Sequence, residues 1–405
     1  MAATLLEHDS LDSSALFTPW VVADPFPHYR NLRPYTPLET SDGHWLVMQH
    51  EHVFAALSDH RTFSSDLVHI DNEVLRETPI IFEDPPGHTR HRKLVQSAFT
   101  VGRMRALTPW VAEVVSGIVD ALREGEVEAV SALCDPLPVS VVAELLGVPR
   151  RLYAQFKLWS DERTYLVAQR GAPASEAHAR RIEQARDANR RLLEYFVEAA
   201  RLRRAQPMDD LIADLVRAND GDDALTENEV AAVCALLLTA GNVTTTNLLG
   251  NLLGLLADHA DVYAQVRADR TLVPAVVEEA LRLESPVQWL YRRTTRDARL
   301  GGVTIPSGAS VIVYFGAANR DPNAYPSPDA FDLDNRATRH AGFGHGIHFC
   351  LGAPLARIET ELALNGILDR FARVEPAEAP RKRIDDAATH CGYRTLPLVL
   401  SAAAL

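Results

Sequence analysis

The chain has 405 residues, 47% of them hydrophobic and 23% charged, which excludes a disordered polymer and leaves ample material for a large core. Lys and Arg number 41 against 54 Asp and Glu, and the resulting net charge of −13 argues against a protein that coats nucleic acid. The four cysteines, Cys134, Cys234, Cys350 and Cys391, form no C-x-x-C pair and are too scattered for a disulfide framework, so a reducing, cytoplasmic setting is expected.

The N-terminal MAATLLEHDSLDSSALF lacks a basic n-region and a long apolar stretch, so no signal peptide is expected. Residues 1–20 read as a loosely ordered lead into one domain spanning 1–405. DPFPHYRNLR is a Pro-punctuated helix signal, HWLVMQ alternates like a strand, and EHVFAALSD reads as a short helix. Residues 64–87 look irregular and end in the breaker EDPPG; from His88 the helical signal dominates for roughly two hundred residues. Within it, ARRIEQARDANRRLLEYFVEAARLRR reads as a solvated helix face.

LTENEVAAVCALLLTAGNVTTTNLLGNLLGLLADH reads as one long helix opened by a capping box, Thr226 with Glu229. Some 32 residues at 1.5 Å rise give roughly 48 Å, enough to cross a domain. Asn242, Thr244, Thr245, Thr246, Asn247 and Asn251 make it a poor bilayer span, which wants ~20 mostly apolar residues, so no membrane anchor is expected. Gly241 in its middle should cost ~1 kcal/mol relative to Ala and implies close approach of a ligand or a local bulge. Downstream, GVTIPSGASVIVYFG reads as a strand pair about a Pro-Ser-Gly turn, and residues 317–342 as an ordered meander. ARIETELALNGILDRFARV is a late helix and TLPLVL a short strand. The fold expected is mainly α with a minor β portion.

The chemistry concentrates in HAGFGHGIHFCLGAPLARIE. Cys350 lies just ahead of a helix start, with Gly352 and Pro354 in the first turn, where unsatisfied N–H groups favour a thiolate. Gly344, Gly346 and Gly352 would let the backbone approach a large flat partner. One cysteine is too few for structural zinc, which wants about four ligands, but enough for haem iron, whose porphyrin supplies four nitrogens. Alone, such a cysteine is more often a core thiol. The phrase F-G-x-G-x-x-x-C-x-G, carried by Phe343, Gly344, Gly346, Cys350 and Gly352, resembles the haem-binding signature of the cytochrome P450 family. DPFPHYRNLR, DHRTFSSD, PMDDLI and NRDPNAYPSPDAFD resemble family phrases in family order, so the likeness covers about residues 24–399.

That resemblance implies a soluble bacterial-type P450 fold with haem b (iron protoporphyrin IX) held between the long helix and the Cys350 loop. It implies Cys350 as the axial metal ligand, Phe343 beside the sulfur, and His88, Arg92 and His348 on the haem propionates, together with Arg292 or its neighbour Arg293. Glu279 and Arg282, three apart in EEALRL, match a buried brace of the family; its usual third arm, an arginine after F-D, is Asn335 here, with Arg336 next. Substrate contacts are expected from the 64–83 loop, Leu237, Ala240 and Thr244, and from Gln288, Trp289, Leu290 and Tyr393. The activity implied is insertion of one oxygen atom from O2 into an apolar small molecule. Electrons would come from an external ferredoxin and ferredoxin reductase. Arg90, Lys93, Arg103 and Arg105 would offer a basic docking face, unless they are a scattered solvated surface.

One departure stands out. The family pattern [AG]-G-x-[DE]-T reads Ala240, Gly241, Asn242, Val243, Thr244, so the acid that helps relay protons is a valine. Either water through Thr244 suffices, or a substrate group helps, or the chemistry needs no relay. The last reading resembles the fungal nitric oxide reductases of this superfamily, which take hydride from NADH. Against it, the loop SSDLVHIDNEVLRETPIIFED sets Asp66, Asp71, Glu73, Glu77, Glu83 and Asp84 against a single Arg76, a poor path for an anionic nucleotide. Peroxide-driven oxidation and a haem protein that only binds or senses a ligand are the remaining alternatives.

Overall fold

The computed structural model describes residues 10–66, 78–96, 99, 101–168, 176–206, 208–217, 225–333, 335 and 339–402. Its helices in chain order are α1 (Pro19–Ala23), α2 (Phe26–Leu32), α3 (His50–Ser58), α4 (Gly87–Gln96), α5 (Val101–Ala121), α6 (Pro136–Leu145) and α7 (Tyr153–Ala168). They continue with α8 (Glu176–Ala205), α9 (Leu211–Arg217), α10 (Glu227–Asp258), α11 (Ala260–Ala268), α12 (Val273–Leu283), α13 (Phe315–Ala318) and α14 (Ala353–Arg370). The strands are β1 (Leu38–Glu39), β2 (His44–Val47), β3 (Phe63–Ser64), β4 (Gly125–Glu128), β5 (Trp289–Thr294), β6 (Ala298–Leu300) and β7 (Val303–Ile305). Then come β8 (Ser310–Tyr314), β9 (Phe371–Pro376), β10 (Lys382–Arg383), β11 (Tyr393–Thr395) and β12 (Pro397–Ala402).

The expected strand pair at 302–316 forms differently. β7 pairs with β6, whereas β8 enters a five-stranded sheet ordered β1-β2-β8-β5-β3. The Pro306–Gly308 turn is present, but Thr294 captures it: Gly308 N donates to the Thr294 carbonyl (2.8 Å) and Ala309 N to the Thr294 hydroxyl (2.8 Å). The β-branched SVIVY then runs as a central strand, parallel to β2 and antiparallel to β5, with four of its five residues buried. One face of this sheet packs Trp289, Tyr291, Ile312 and Tyr314 against Leu16, Phe17 and Val21. Residues 10–20 are therefore not loose: Ser13 bonds Asp42 through N–H (2.9 Å) and hydroxyl (2.5 Å), and Phe17 lies 5.2 Å from Trp289. Residues 1–9 lie outside the described residues.

The late helix ends at Arg370, and Phe371 onward pairs with β12 as an edge of a three-stranded sheet, β4-β12-β9. The long helix α10 carries the expected capping box: Thr226 Oγ1 accepts from Glu229 N (3.2 Å), and Glu229 accepts from Thr226 N (2.6 Å). Among the described residues it is the one helix long and apolar enough to cross a membrane, yet most of that stretch is buried in protein. It packs on α6, α7, α8, α12 and α14, so its apolar surface faces other helices. Gly241 does not interrupt the helical run, and a Cβ there would lie 2.7 Å from Val142 Cγ2 on α6. A neighbouring helix makes a close approach at this glycine, and the helix runs on without a bulge.

Glu279 and Arg282 on α12 pair through two bonds of 2.7 Å, each side chain 2% exposed. Arg282 also donates to the carbonyls of Asn319, Pro328 and Ala330, tying the meander to the helix. Asn335 completes the brace: its Nδ2 donates to the same Glu279 carboxylate at 3.1 Å. Arg336, the other candidate for that arm, lies outside the described residues.

Candidate functional site

Cys350 sits two residues before α14, with Gly352 as N-cap and Pro354 in the first turn. Its loop is fixed from three sides. Cys350 N donates to the Phe343 carbonyl (2.9 Å), Arg92 Nη2 donates to the Phe349 carbonyl (2.7 Å), and Gly346 presses on α3. Gly346 has φ +69°, and a Cβ there would come within 2.5 Å of the Leu57 carbonyl oxygen. Gly346 thus serves helix contact, while Gly352, where a Cβ would sit 3.9 Å from Cys350 Sγ, keeps the space beside the sulfur open.

The sulfur keeps accessible surface, yet the protein atoms packed around it push its thiol pKa up. The backbone amides of Gly352 and Ala353 and the charges of Arg92 and Arg357 act the other way, favouring thiolate. A metal bound at the sulfur would take the proton's place and complete that preference.

α10 also carries accessible positions within its buried run. In a stretch where Leu236, Leu238, Asn242 and Thr245 are buried, Leu237, Ala240, Gly241, Val243 and Thr244 retain accessible surface, and Ala240 is exposed. These positions form one stripe of a 3.6-residue period. Thr244 Oγ1 donates back to the Ala240 carbonyl at 2.6 Å. Asn242 turns the other way and bonds Ser160 on α7 at 3.0 Å. Val243 brings no acid to the stripe.

A second set of groups converges from α4, β5 and the cysteine loop. The His88 and His348 rings lie 4.5 Å apart, and His348 also bonds Ser65 (2.9 Å). His348 Nδ1 and His88 Nε2 are buried without a hydrogen-bond partner. Burial, with Arg292, His88 and Arg92 close by, pushes the His348 pKa down to about 2. Burial lowers Arg292 to about 10, against the pull of Asp84. Of the two candidates, Arg292 is 4% exposed and stands near His348, while Arg293 is exposed on the other face of β5. Two arginines and two histidines with idle donors, gathered beside one carboxylate, are poorly compensated among themselves. A dianionic partner such as the two haem propionates fits them, so the donor set and the sulfur both suit haem.

The substrate expectations fare unevenly. Leu290 stays partly open on the Arg292 face of β5. Trp289 points to the opposite face, 3% exposed, its indole N–H bonded to the Ala388 carbonyl (2.9 Å); it is core. Gln288 is wedged against Gly316 and donates to the Ser285 carbonyl (2.6 Å). Tyr393 packs onto α10 at Gly250 and Gly254, with Arg383 3.9 Å over its ring. Val287 and His390, bridged to each other and both partly open, were missed. Period-2 alternation signals this: Cys391 and Tyr393 are buried on one side, which turns His390 to the other. Burial lowers His390 to about 4.

The basic docking face is thinner than expected. Arg90 pairs with Glu229 (2.8 Å) and Arg103 with Asp214, leaving Lys93 and Arg105 as its exposed members. The acidic loop is thinner too: Glu83 takes the His91 ring (2.8 Å) and Ile80 N (2.9 Å), and Asp84 takes Ser64 and Ser65. Asp71, Glu73, Arg76 and Glu77 lie outside the described residues.

A sequence description of one family, Cytochrome P450, matches residues 160–394. Cyclomarin C epoxidase CymV of Salinispora arenicola is 38% identical, covering 87% of this chain and 90% of its own. Cytochrome P450 monooxygenase PikC of Streptomyces venezuelae is 38% identical over 86% of this chain and 84% of its own. Among solved structures, ligand-free cytochrome P450 TbtJ1 superposes with TM-score 0.85 at 36% identity, covering 95% of this chain and 99% of that one. CYP109E1 from Bacillus megaterium in complex with testosterone gives TM-score 0.86 at 33% identity, with 94% and 99% covered. Identity at this level over most of the sequence, on the same fold, means that the chain belongs to the cytochrome P450 family, an enzyme of the bacterial monooxygenase kind that holds haem through a cysteine thiolate.

Proposed function

We propose that this chain inserts one oxygen atom from O2 into a large apolar organic molecule, in the cytoplasm, with electrons from a separate ferredoxin and its reductase. The observation that carries the reading is the pairing of the accessible sulfur of Cys350 with two arginines and two neutral histidines, Arg92, Arg292, His88 and His348, of which His88 and Arg292 are buried. Cys350 would hold haem b through iron, Arg92 and Arg292 would offset the charge of its propionates, and His88 and His348 would hydrogen-bond them. Haem supplies the oxygen activation, and a thiolate ligand favours O–O cleavage. Arg92, bonded to the Phe349 carbonyl, holds the sulfur's loop in place. Leu237, Ala240 and Leu290 supply apolar wall, and Val287 with His390 closes it. His390, neutral at working pH, offers one polar contact. Thr244 holds a proton at Oγ1 and passes it on by turning from the Ala240 carbonyl. Val243 and Gly241 take no proton.

Relatives support a bulky substrate. One is named a 6-deoxyerythronolide B hydroxylase, another an erythromycin C-12 hydroxylase, and a solved neighbour holds erythromycin B. The test is a paired turnover assay. One tube holds the reduced protein, a ferredoxin system and a library of macrolide-sized and steroid-sized compounds; another holds NADH and nitric oxide. Oxygenated product that needs the ferredoxin supports the reading. NADH consumed without a redox partner replaces it with direct nitric oxide reduction.

A further inference from the structure

Behind the cysteine loop lies an ion pair that the roles assigned so far leave unused. Arg357, one turn into α14, meets Glu278 on α12 in two bonds, Nε to Oε1 at 2.6 Å and Nη2 to Oε2 at 2.9 Å. His340, at the head of the cysteine loop, bonds the same carboxylate through Nε2 at 3.0 Å. Its Nδ1 accepts from Gly342 N at 3.0 Å, so Nε2 carries the hydrogen and His340 enters as a neutral donor. The Arg357 guanidinium stands 4.5 Å over the Phe343 ring, and Phe343 receives the Cys350 amide hydrogen on its carbonyl. Three elements, α12, α14 and the loop, thus meet on one carboxylate beside the sulfur.

Through its place over Phe343, whose carbonyl holds the Cys350 amide, Arg357 brings a fixed positive charge to the cysteine loop. Glu278 stays ionised, its pKa held at about 2 by the Arg357 and His340 bonds despite burial, and so offsets much of that charge. Both side chains are 32% exposed, which lets solvent and salt damp the pair without abolishing it. We propose that the Glu278–Arg357 pair, fixed by His340, sets the charge at the Cys350 sulfur and thereby the reduction potential of the metal that the sulfur holds. The inference deepens the haem-thiolate reading and rests on it. These are positioning residues: they act through Cys350 and Phe343.

The test is equilibrium titration of the haem-loaded protein with dithionite and mediators, in which each radical anion released by cleavage of the dithionite S–S bond takes up water, ends as sulfite and gives one electron to reduce ferric to ferrous iron. Glu278→Gln keeps the shape and leaves Arg357 unopposed, so the midpoint should move positive. Arg357→Gln leaves Glu278 unopposed and should move it negative. Arg357→Lys should stay near wild type, and the double variant Glu278→Gln/Arg357→Gln should fall between the single ones. Singles that do not move, or that move the same way, overturn the proposal, since lost packing alone has no sign. If Glu278→Gln fails to retain haem, Glu278→Asp takes its place, with a smaller positive shift expected and no shift counting against. A chain that shows no Soret band after hemin feeding sinks the haem-thiolate reading itself, a result distinct from a bound haem whose potential ignores these charges.

Discussion

Replacing Gly241 by Ala tests whether the mid-helix glycine serves helix packing or a ligand. The new methyl would sit 2.7 Å from Val142 Cγ2 and 3.9 Å from that residue's Cβ and Cγ1. A valine on a helix has essentially one rotamer, so the clash must move backbone or neighbours. Overpacking of this kind costs about 1–3 kcal/mol. Gly→Ala within a helix returns about 1 kcal/mol. The expected net loss is about 1 kcal/mol. Val142→Ala alone should lose roughly 2 kcal/mol by leaving a cavity. In the double variant the methyl introduced at position 241 fills that cavity, so the two changes should couple favourably by about 1–2 kcal/mol. Urea unfolding of the four proteins followed by far-UV circular dichroism measures this. Strict additivity, together with a changed substrate-binding spectrum in Gly241→Ala, would refute the packing argument and restore the ligand reading.

Cys350→Ser should abolish the shifted absorption band of the ferrous carbonyl complex, because an oxygen ligand does not push electron density onto iron as sulfur does; a band that stays put removes the thiolate. Arg292→Leu should release haem faster than wild type in a transfer assay to apomyoglobin, while Arg293→Leu, altering the exposed face of β5, should not. For His390, whose folded pKa of about 4 lies below the ordinary histidine value, the unfolded chain binds the extra proton first. Stability should therefore fall as pH drops from about 6.5 towards 4, and His390→Phe should flatten that slope by one proton in a pH series of urea midpoints. Val243→Glu should raise product formed per electron consumed and lower peroxide release; unchanged peroxide with the variant folded counts against a proton-relay deficit. Lys93→Glu with Arg105→Glu should slow reduction by ferredoxin, most at low ionic strength, and a rate indifferent to salt argues against docking there.

Features written in local order were legible from the residues. The capping box at Thr226 and Glu229 and the pair Glu279–Arg282 lie three residues apart on one helix, so spacing alone brings them together. The cysteine loop was legible because glycines, cysteine and helix start are contiguous. What failed depended on partners distant in sequence. β8 leaves β7 for β2 and β5 because Thr294 takes the intervening turn, a contact across more than a dozen residues. The side of the sheet on which Trp289 falls is fixed by Phe17 and the other N-terminal residues, which read as loose. The reason for Gly241 lies on another helix, at Val142, and no periodicity in α10 reports it.

The two departures from the family pattern have different physical standing. At Asn335 an amide stands where an arginine is usual, and its Nδ2 reaches the carboxylate of Glu279 that Arg282 and the Asp332 amide also serve. The lost charge is tolerable because Arg282 already balances Glu279, so a neutral donor suffices to satisfy the remaining lone pair. At Val243 the chain neighbours offer no such substitute: Asn242 is committed to Ser160, and Thr244 donates to its own helix. A brace needs only that every acceptor be filled, whereas a relay needs a group that both takes and releases a proton near neutrality. The amide meets the first demand and the valine cannot meet the second. The brace keeps every acceptor filled, so any difference between this enzyme and its relatives in coupling of electrons to product should map to position 243 and not to the brace.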